Sequence, residues 1–198
     1  MRSGNTNKQH LGLLLAIMLR KTVVLMAVIS LPFMSQPATA SSHASSLKSL
    51  GMNEIMFAQG MIPHHQQAID MSTSALVRSS NTKVKALASE IISEQRKEMK
   101  QMKYWLAAKK APLKMGHDMG MGGMLSESQV AELKKLRGPK FDSAFLKAMI
   151  EHHEGALGML SMLSGSKNSE ARALAKEIRA AQSGEISLMQ KLLIEVSK

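Results

Sequence analysis

Apolar side chains recur at helical spacing through most of the chain. In residues 57–71 and 145–159 they return every three or four positions, which is the period of an α-helix packed on one face. Residues 86–102 and 173–189 show the same period. No segment alternates apolar and polar positions in the way a half-buried strand does. The pattern predicts an all-α protein with four long helices.

The four helices form a duplicated pair. FAQGMIPHHQQAIDM (57–71) aligns with FLKAMIEHHEGALGM (145–159) at an offset of 88, and residues 86–102 align with 173–189 at an offset of 87. Polar turns at 79–82 and 164–169 separate the helices of each copy, with Thr82 and Ser169 as predicted N-caps. Two amphipathic hairpins bury their apolar faces most simply against each other. The sequence therefore predicts a ferritin-like four-helix bundle built from a duplicated helical hairpin, with a short extra helix within 126–137.

The first forty residues have the pattern of a secretory signal. Arg20 and Lys21 precede the apolar run TVVLMAVISLPFM, and residues 38–40 offer small side chains for cleavage. This run is short for a membrane span, and Met18 is an alternative start. We predict a signal peptide over 1–40, a mature N-terminal segment over 41–50, and a bundle domain over 51–198 with a Met/His-rich loop at 111–125. The mature protein would be periplasmic with no stable membrane span, and an uncleaved anchor is the less favoured alternative.

Composition excludes several classes of function. The 198 residues contain no cysteine, which excludes a disulfide scaffold, thiolate catalysis and thiolate metal sites in an exported chain. The formal net charge is +11, but aromatic residues make up only 3% and are not interleaved with basic clusters, so we expect no nucleic-acid partner. Methionine occurs 18 times. Because methionine can fill a core or bind a soft metal, its placement has to decide its role.

Polar residues interrupt an otherwise apolar stripe on the second helix of each hairpin. The stripes are Ile91, Gln95, Glu98, Met102 and Ile178, Gln182, Glu185, Met189. A buried glutamate is costly unless it is paired. On a helical wheel, His65 and His153 lie at the centre of the apolar arc, the apolar side of the first helix of each hairpin. We therefore predict that they meet Glu98 and Glu185 in the bundle interior. Such pairs suit a purely structural role, and equally a metal-bound histidine held by a carboxylate.

His64 and His152 lie at the margin of the apolar arc that carries methionines, which favours a ligand role. We predict metal ligands on both first helices, supported by polar residues of the second helices. The ligands are Met61, His64, His65, Met71, Met149, His152, His153 and Met159, and the supporting residues are Glu98, Glu185, Gln95 and Gln182.

The segment between the repeats, KMGHDMGMGGML (114–125), is a second candidate metal site. Its thioether and imidazole donors are Met115, His117, Met119, Met121 and Met124. Interspersed glycines disfavour a firm helix, so these methionines are poor candidates for core packing. Thioethers around a histidine suit monovalent copper or silver, and a loop with no ligand role is the alternative.

Cleavage after residue 40 would create a third candidate site. His43 would then stand third in the mature chain. A free amine, two backbone amides and that imidazole can form a square-planar nitrogen set for divalent copper or nickel.

The paired MI-x-HH segments, together with Gln95, Glu98 and their counterparts, resemble a known family over about residues 50–196. This is the exported, ferritin-like four-helix family called domain of unknown function 305. The resemblance implies the bundle fold. Because some members are associated with periplasmic copper binding and resistance, it also implies copper.

These observations favour a periplasmic protein, not an enzyme, that sequesters or delivers copper in copper homeostasis or resistance. The ion would be Cu(I) and also Ag(I), and the partner another periplasmic copper carrier or exporter. The alternatives are a ferritin-like di-iron oxidoreductase and a structural or adaptor bundle without metal. Di-iron bundles use Glu-x-x-His on two helices, a motif that this sequence lacks.

Overall fold

A computed structural model describes residues 46–114 and 122–197. Its helices are α1 (Met52–Arg78), α2 (Thr82–Ala108), α3 (Glu127–Lys135), α4 (Gly138–Met159) and α5 (Ser169–Val196), and a 3-10 turn, Leu160–Leu163, follows α4. These two stretches contain no strand, and the all-α prediction is confirmed. The predicted signal peptide lies outside the described residues, as do His43, Met115, His117, Met119 and Met121.

The long helices form two hairpins. Helix α1 packs most extensively on α2, and α4 packs on α5, while the hairpins meet chiefly through α1 and α4. The short connections at 79–81 and 164–168 make the helices of each hairpin run in opposite directions. The predicted four-helix bundle is therefore confirmed, and the extra helix α3 packs against α4. No helix within the described ranges is both long and apolar enough to cross a membrane.

Both inter-helix turns end in an asparagine N-cap. The side chain of Asn81 accepts hydrogen bonds from first-turn amides of α2, and that of Asn168 accepts one from α5. The predicted caps, Thr82 and Ser169, were one residue too late. Asparagine caps a helix at least as well as serine or threonine, so the chain turns helical directly after it.

A polar layer divides the bundle core into two apolar clusters. One cluster contains Phe57 and Trp105, and the other contains Phe141 and Phe145. In α2, α4 and α5 the buried residues of one cluster precede those of the other, with polar residues between them, and α1 follows the same order except that Ile69 comes after Ala68. The polar layer comprises His64 and His65 of α1, Gln95 and Glu98 of α2, His152 and His153 of α4, and Gln182 and Glu185 of α5.

Asn168 has a role besides capping α5. It is fully buried, and its Nδ2 donates to the Ser46 carbonyl at 2.6 Å and to Ser49 Oγ at 3.1 Å. It therefore ties the segment before α1 to the start of α5. Asn81 is only partly buried, and its side-chain oxygen bonds amides of its own helix.

We predict that Asn168→Ala destabilises the protein more than Asn81→Ala. Loss of the Asn81 cap should lower the free energy of unfolding by about 1 kcal/mol. Loss of the Asn168 side chain removes a cap and three further hydrogen bonds, and should cost roughly 2–3 kcal/mol. Urea unfolding followed by circular dichroism measures both variants, and equal losses would contradict the tie described for Asn168.

Candidate metal centre

The adjacent histidines of each hairpin have different neighbours. Successive residues of a helix point about 100° apart, so His64 and His65 cannot face the same partner. Nε2 of His65 donates to Oε2 of Glu98 at 2.6 Å, which joins α1 to α2. Nε2 of His153 donates to Oε2 of Glu185 at 2.7 Å, which joins α4 to α5. The structure thus forms both predicted His–Glu pairs, each within its own hairpin.

His64 and His152 meet across the two hairpins. Their ring centroids lie 3.8 Å apart, with 41° between the ring planes, and both residues are fully buried. The sequence analysis placed these histidines beside methionines and did not predict this contact. The duplication contained the relevant information, because the two residues occupy equivalent positions of the two copies. When two copies pack face to face, equivalent residues can meet at the centre.

Several nitrogens of this histidine pair have no hydrogen-bond partner among the described residues. Nε2 of His64 donates to the carbonyl of Gly122 at 3.1 Å, whereas its Nδ1 has no partner. Neither nitrogen of His152 makes a hydrogen bond of good geometry within the described residues, although the backbone of His64 interacts with this ring and opposes the lowering of its pKa. A buried polar atom left in this way costs about 1–3 kcal/mol. Each neutral ring has one nitrogen without a proton, which is the form in which histidine binds metals.

Burial keeps both rings of the pair neutral. Burial lowers the pKa of His64 from 6.5 to about 4, although the hydrogen bond to Gly122 opposes this effect. Burial also lowers the pKa of His152 to about 2, and the adjacent His64 ring reinforces the shift. Both imidazoles are therefore uncharged at neutral pH, with their lone pairs available.

The end of the Met/His-rich loop lies directly on the histidine pair. We call Gly122 and Gly123 the glycine strap. A Cβ added to Gly155 would collide with the Gly122 carbonyl and lie 2.8 Å from the amide nitrogen of Gly123. A Cβ on Gly123, whose φ is +80°, would lie 2.9 Å from the Cα of His152. The strap can approach α4 this closely because glycine has no side chain.

Gln67 anchors the chain just beyond the strap. Its Nε2 donates to the carbonyl of Leu125 at 2.9 Å, and its Oε1 accepts from the Leu125 amide at 2.8 Å. The sequence analysis missed this residue. A departure from the repeat marks it, because Gln67 aligns with Gly155 in the second copy. The chain from Gly122 to Leu125 therefore meets equivalent positions of both hairpins. Gln67 of the first copy bonds Leu125, and Gly155 of the second leaves room for the strap.

The supporting glutamines lie where the sequence predicted, inside the polar layer. Gln95 and Gln182 are each 2% exposed, and their side-chain amides have no hydrogen-bond partner among the described residues. The same holds for Nδ1 of His65 and of His153. Most of the unpartnered buried side-chain atoms in the described ranges belong to this one layer. This concentration of unused polar atoms marks the layer as the place where the bundle could hold an ion.

The predicted methionine ligands of the bundle are packed into its core. Met61 is fully buried in one apolar cluster, and Met159 packs against that cluster. Met71 and Met149 are buried in the other cluster. Met124, beside the strap, is half-buried. The structure gives the four bundle methionines a packing role, and their role as metal ligands stays a prediction.

The donor set limits which ions the bundle could bind. The described residues contain no group of three or more His, Asp or Glu side chains arranged to hold a metal. Zinc and calcium sites draw three or more ligands from such groups. The described part of the bundle therefore offers neither of these ions a complete set of ligands.

The chain belongs to the family called Domain of unknown function (DUF305), whose model matches residues 54–193. A DUF305 protein from Streptomyces coelicolor, described as secreted, is 30% identical, with a TM-score of 0.70 over 73% of this chain and 94% of that one. A DUF305 fragment from Deinococcus radiodurans is 34% identical, with a TM-score of 0.68 over 73% and 97%. No curated protein sequence matches the chain.

The chain is also similar to the protein CopM. In its Cu(I)-bound form CopM is 32% identical to this chain, with a TM-score of 0.61 over 72% of this chain and 96% of CopM. CopM has also been solved in Cu(II)-bound and Ag-bound forms.

We predict that the metal-free protein loses stability as the pH falls from about 6.5 towards about 4. In that window the unfolded chain binds protons at His64 and His152, while the folded chain does not. Each histidine should lower the free energy of unfolding by about 1.4 kcal/mol per pH unit. Urea unfolding at several pH values, in the presence of a chelator, measures the slope. The variant H64Q/H152Q should show a flatter dependence, and an unchanged slope would contradict the assignment.

We predict opposite effects for two glycine substitutions on α4. Gly158 is exposed with nothing within 4 Å of an added Cβ, so Gly158→Ala should stabilise the protein by up to about 1 kcal/mol through helix propensity. Gly155→Ala gains the same propensity but displaces the strap, and should destabilise the protein. Thermal unfolding of the two variants makes the comparison, and equal stabilisation would show that the strap does not rest on α4.

Proposed function

We propose that this chain is an exported, periplasmic copper-binding protein that sequesters Cu(I) or passes it on, and that it binds Ag(I) in the same way. The observation that carries the proposal is the similarity to CopM, which extends over 96% of CopM and includes copper-bound and silver-bound forms. We propose a binding protein rather than an enzyme. Its partner would be another periplasmic copper carrier or exporter.

The chain's own donors suit a soft monovalent ion. Thioethers and imidazoles bind Cu(I) and Ag(I) well, and the loop sequence concentrates four methionines and a histidine within ten residues. Thioethers do not bind protons, so the donors of the loop would persist in acid. The neutral histidine pair adds two nitrogens inside the bundle.

Export is supported by two independent observations. The N-terminal sequence has the charge, apolar run and small residues of a secretory signal. A relative with the same fold has been described as secreted. A protein that binds copper outside the cytoplasm can lower the free ion concentration before the ion reaches cytoplasmic targets.

The di-iron alternative has less support from the described residues. Di-iron bundles bring four glutamates and two histidines to one site. Here the polar layer contains two glutamates, and each is bonded to a histidine of its own hairpin. The described residues assemble no group of three such donors.

A Cu(I) titration of the mature chain against a competing chromogenic chelator tests the proposal. The unmodified protein should remove Cu(I) from the chelator. The variant M115L/H117Q/M119L/M121L/M124L should bind at least about tenfold more weakly or lose equivalents, because leucine keeps the apolar shape without the sulfur donor.

The matched control is Met52→Leu, since Met52 is an exposed methionine of α1 outside the loop and the polar layer. It should leave Cu(I) binding unchanged. Failure of the unmodified protein to compete for Cu(I) would refute the proposed function, and equal binding by the loop variant would refute the loop's part in it.

A further inference from the structure

A groove on the outer side of the first hairpin contains two adjoining cavities. The larger has a volume of about 670 Å³ and is lined by residues of α1, α2 and α3 and of both ends of the Met/His-rich loop. The smaller has a volume of about 410 Å³ and lies between α1 and α2. Because Gln66, Met99 and Lys103 line both cavities, the two are continuous. No residue of the polar layer lines either one.

The larger cavity is mainly apolar. Its volume lies within the range of about 300–1,000 Å³ that is usual for small-molecule sites, which are also mostly apolar. Leu113 remains 55% exposed beside it. The other apolar lining residues include Ile62, Pro63, Leu125 and Val130.

The charges around the larger cavity nearly cancel away from its junction with the smaller one. Lys114 and Lys134 face two acids, Asp70 and Glu127. Nε2 of Gln66 donates to Oδ1 of Asp70 at 2.9 Å, and Glu127 lies in the first turn of α3, where the helix dipole favours an acid. This cavity therefore offers an apolar ligand space without a strong preference for either sign of charge.

The smaller cavity has a strong preference for an anion. Its lining includes three cations, Arg96, Lys100 and Lys103, and no acid among the described residues. The three cations are four and three positions apart on α2, so they share one face of the helix. None of them forms an ion pair with another described residue. A guanidinium can bind a carboxylate with two hydrogen bonds, and the ammonium groups add positive charge.

This basic stripe is absent from the second copy of the repeat. At the offset of 87, the positions of Arg96, Lys100 and Lys103 are occupied by Ser183, Ser187 and Gln190. The residues that correspond to Pro63 and Gln66 are both acidic in the second copy, Glu151 and Glu154. The exposed face of the hairpin is therefore compatible with uncharged residues, and the fold does not require the three cations of the first copy.

We propose that the groove binds a long-chain fatty acid, with the carboxylate at Arg96, Lys100 and Lys103 and the hydrocarbon chain in the larger cavity. The groove has the same division as such a ligand, a charged end joined to an apolar body. The proposal does not rest on the proposed copper function.

The concave shape of the groove favours a single chain over the surface of a bilayer. Ile62 and Met99, which line the groove, are only 8% and 5% exposed. They can contact a ligand that enters the groove, but they do not project far enough to enter a membrane.

Isothermal titration of the mature chain with tetradecanoate, below its micellar concentration and in the presence of a metal chelator, tests the proposal. One tetradecanoate should bind per chain. Octanoate should bind at least about tenfold more weakly, because it buries fewer methylene groups. The cation tetradecyltrimethylammonium has the same hydrocarbon chain and should also bind at least about tenfold more weakly, because its charge is repelled.

The variant R96S/K100S/K103Q introduces the residues of the second copy and should bind tetradecanoate at least about tenfold more weakly. The matched control is K97S/K176S/K191Q, which removes three exposed lysines that line neither cavity. It should bind tetradecanoate like the unmodified protein. Equal weakening in both variants, or equal binding of the anionic and cationic amphiphiles, would overturn the proposal.

Other occupants of the groove give different results. Binding to phosphatidylglycerol vesicles without binding of free tetradecanoate would assign the face to a membrane and overturn the proposal. Binding of tetradecanoate only after residues 115–121 are replaced by a glycine–serine linker of equal length would show that the chain's own loop occupies the groove, which would also overturn it. Since no metal is present, none of these outcomes bears on copper binding.

Methyl resonances of labelled methionine locate the ligand in the unmodified chain. Tetradecanoate should shift the resonance of Met99, which lines both cavities and can be assigned with Met99→Leu. It should not shift that of Met52, which is exposed at the start of α1. Shifts that spare Met99 would overturn the placement of the ligand, whatever the affinity.

Discussion

The cost of burying polar groups across the middle of a four-helix bundle is the constraint on which this structure depends. Two glutamates, two glutamines and four histidines separate the apolar clusters, and each needs a partner in the interior. The glutamates are satisfied within their hairpins by His65 and His153. The other histidine of each pair is left to face the opposite hairpin. The two adjacent histidines of each hairpin thus have different roles. One bonds a glutamate within its own hairpin, and the other contacts the corresponding histidine of the opposite hairpin.

The sequence predicted the bundle and the His–Glu pairs because both follow from residues on one helix face. A glutamate on the buried face of the second helix needs a buried partner. The histidine at the centre of the apolar face of the first helix can be that partner. The contact between His64 and His152 could not be predicted in this way. A helical wheel shows on which side of its own helix a residue lies, but it does not show which other helix packs against that side. The N-caps of α2 and α5 were predicted one residue too late. In both turns an asparagine precedes the predicted cap residue, Thr82 or Ser169, and it is this asparagine that caps the helix.

The two copies of the hairpin differ where a single loop has to be accommodated. The glycine strap and the residue Leu125 just beyond it meet the two copies at equivalent positions, Gly155 and Gln67. One copy supplies hydrogen bonds to the backbone beyond the strap, and the other supplies space. The polar layer is therefore nearly symmetric in its histidines but asymmetric in the segment that covers them. Divergence between repeats was informative here, since it marked residues that neither motif nor composition had singled out.

The spacing of the two kinds of histidine contact along the chain also bears on how the protein folds. The His–Glu pairs join residues 33 and 32 positions apart, whereas His64 and His152 are 88 apart. Contacts between nearby residues cost less loop-closure entropy and can form earlier. Each hairpin can therefore close its own polar contacts first, and the docking of the two hairpins brings His64 and His152 together. We therefore expect the contact between His64 and His152 to form late in folding, after each hairpin has formed.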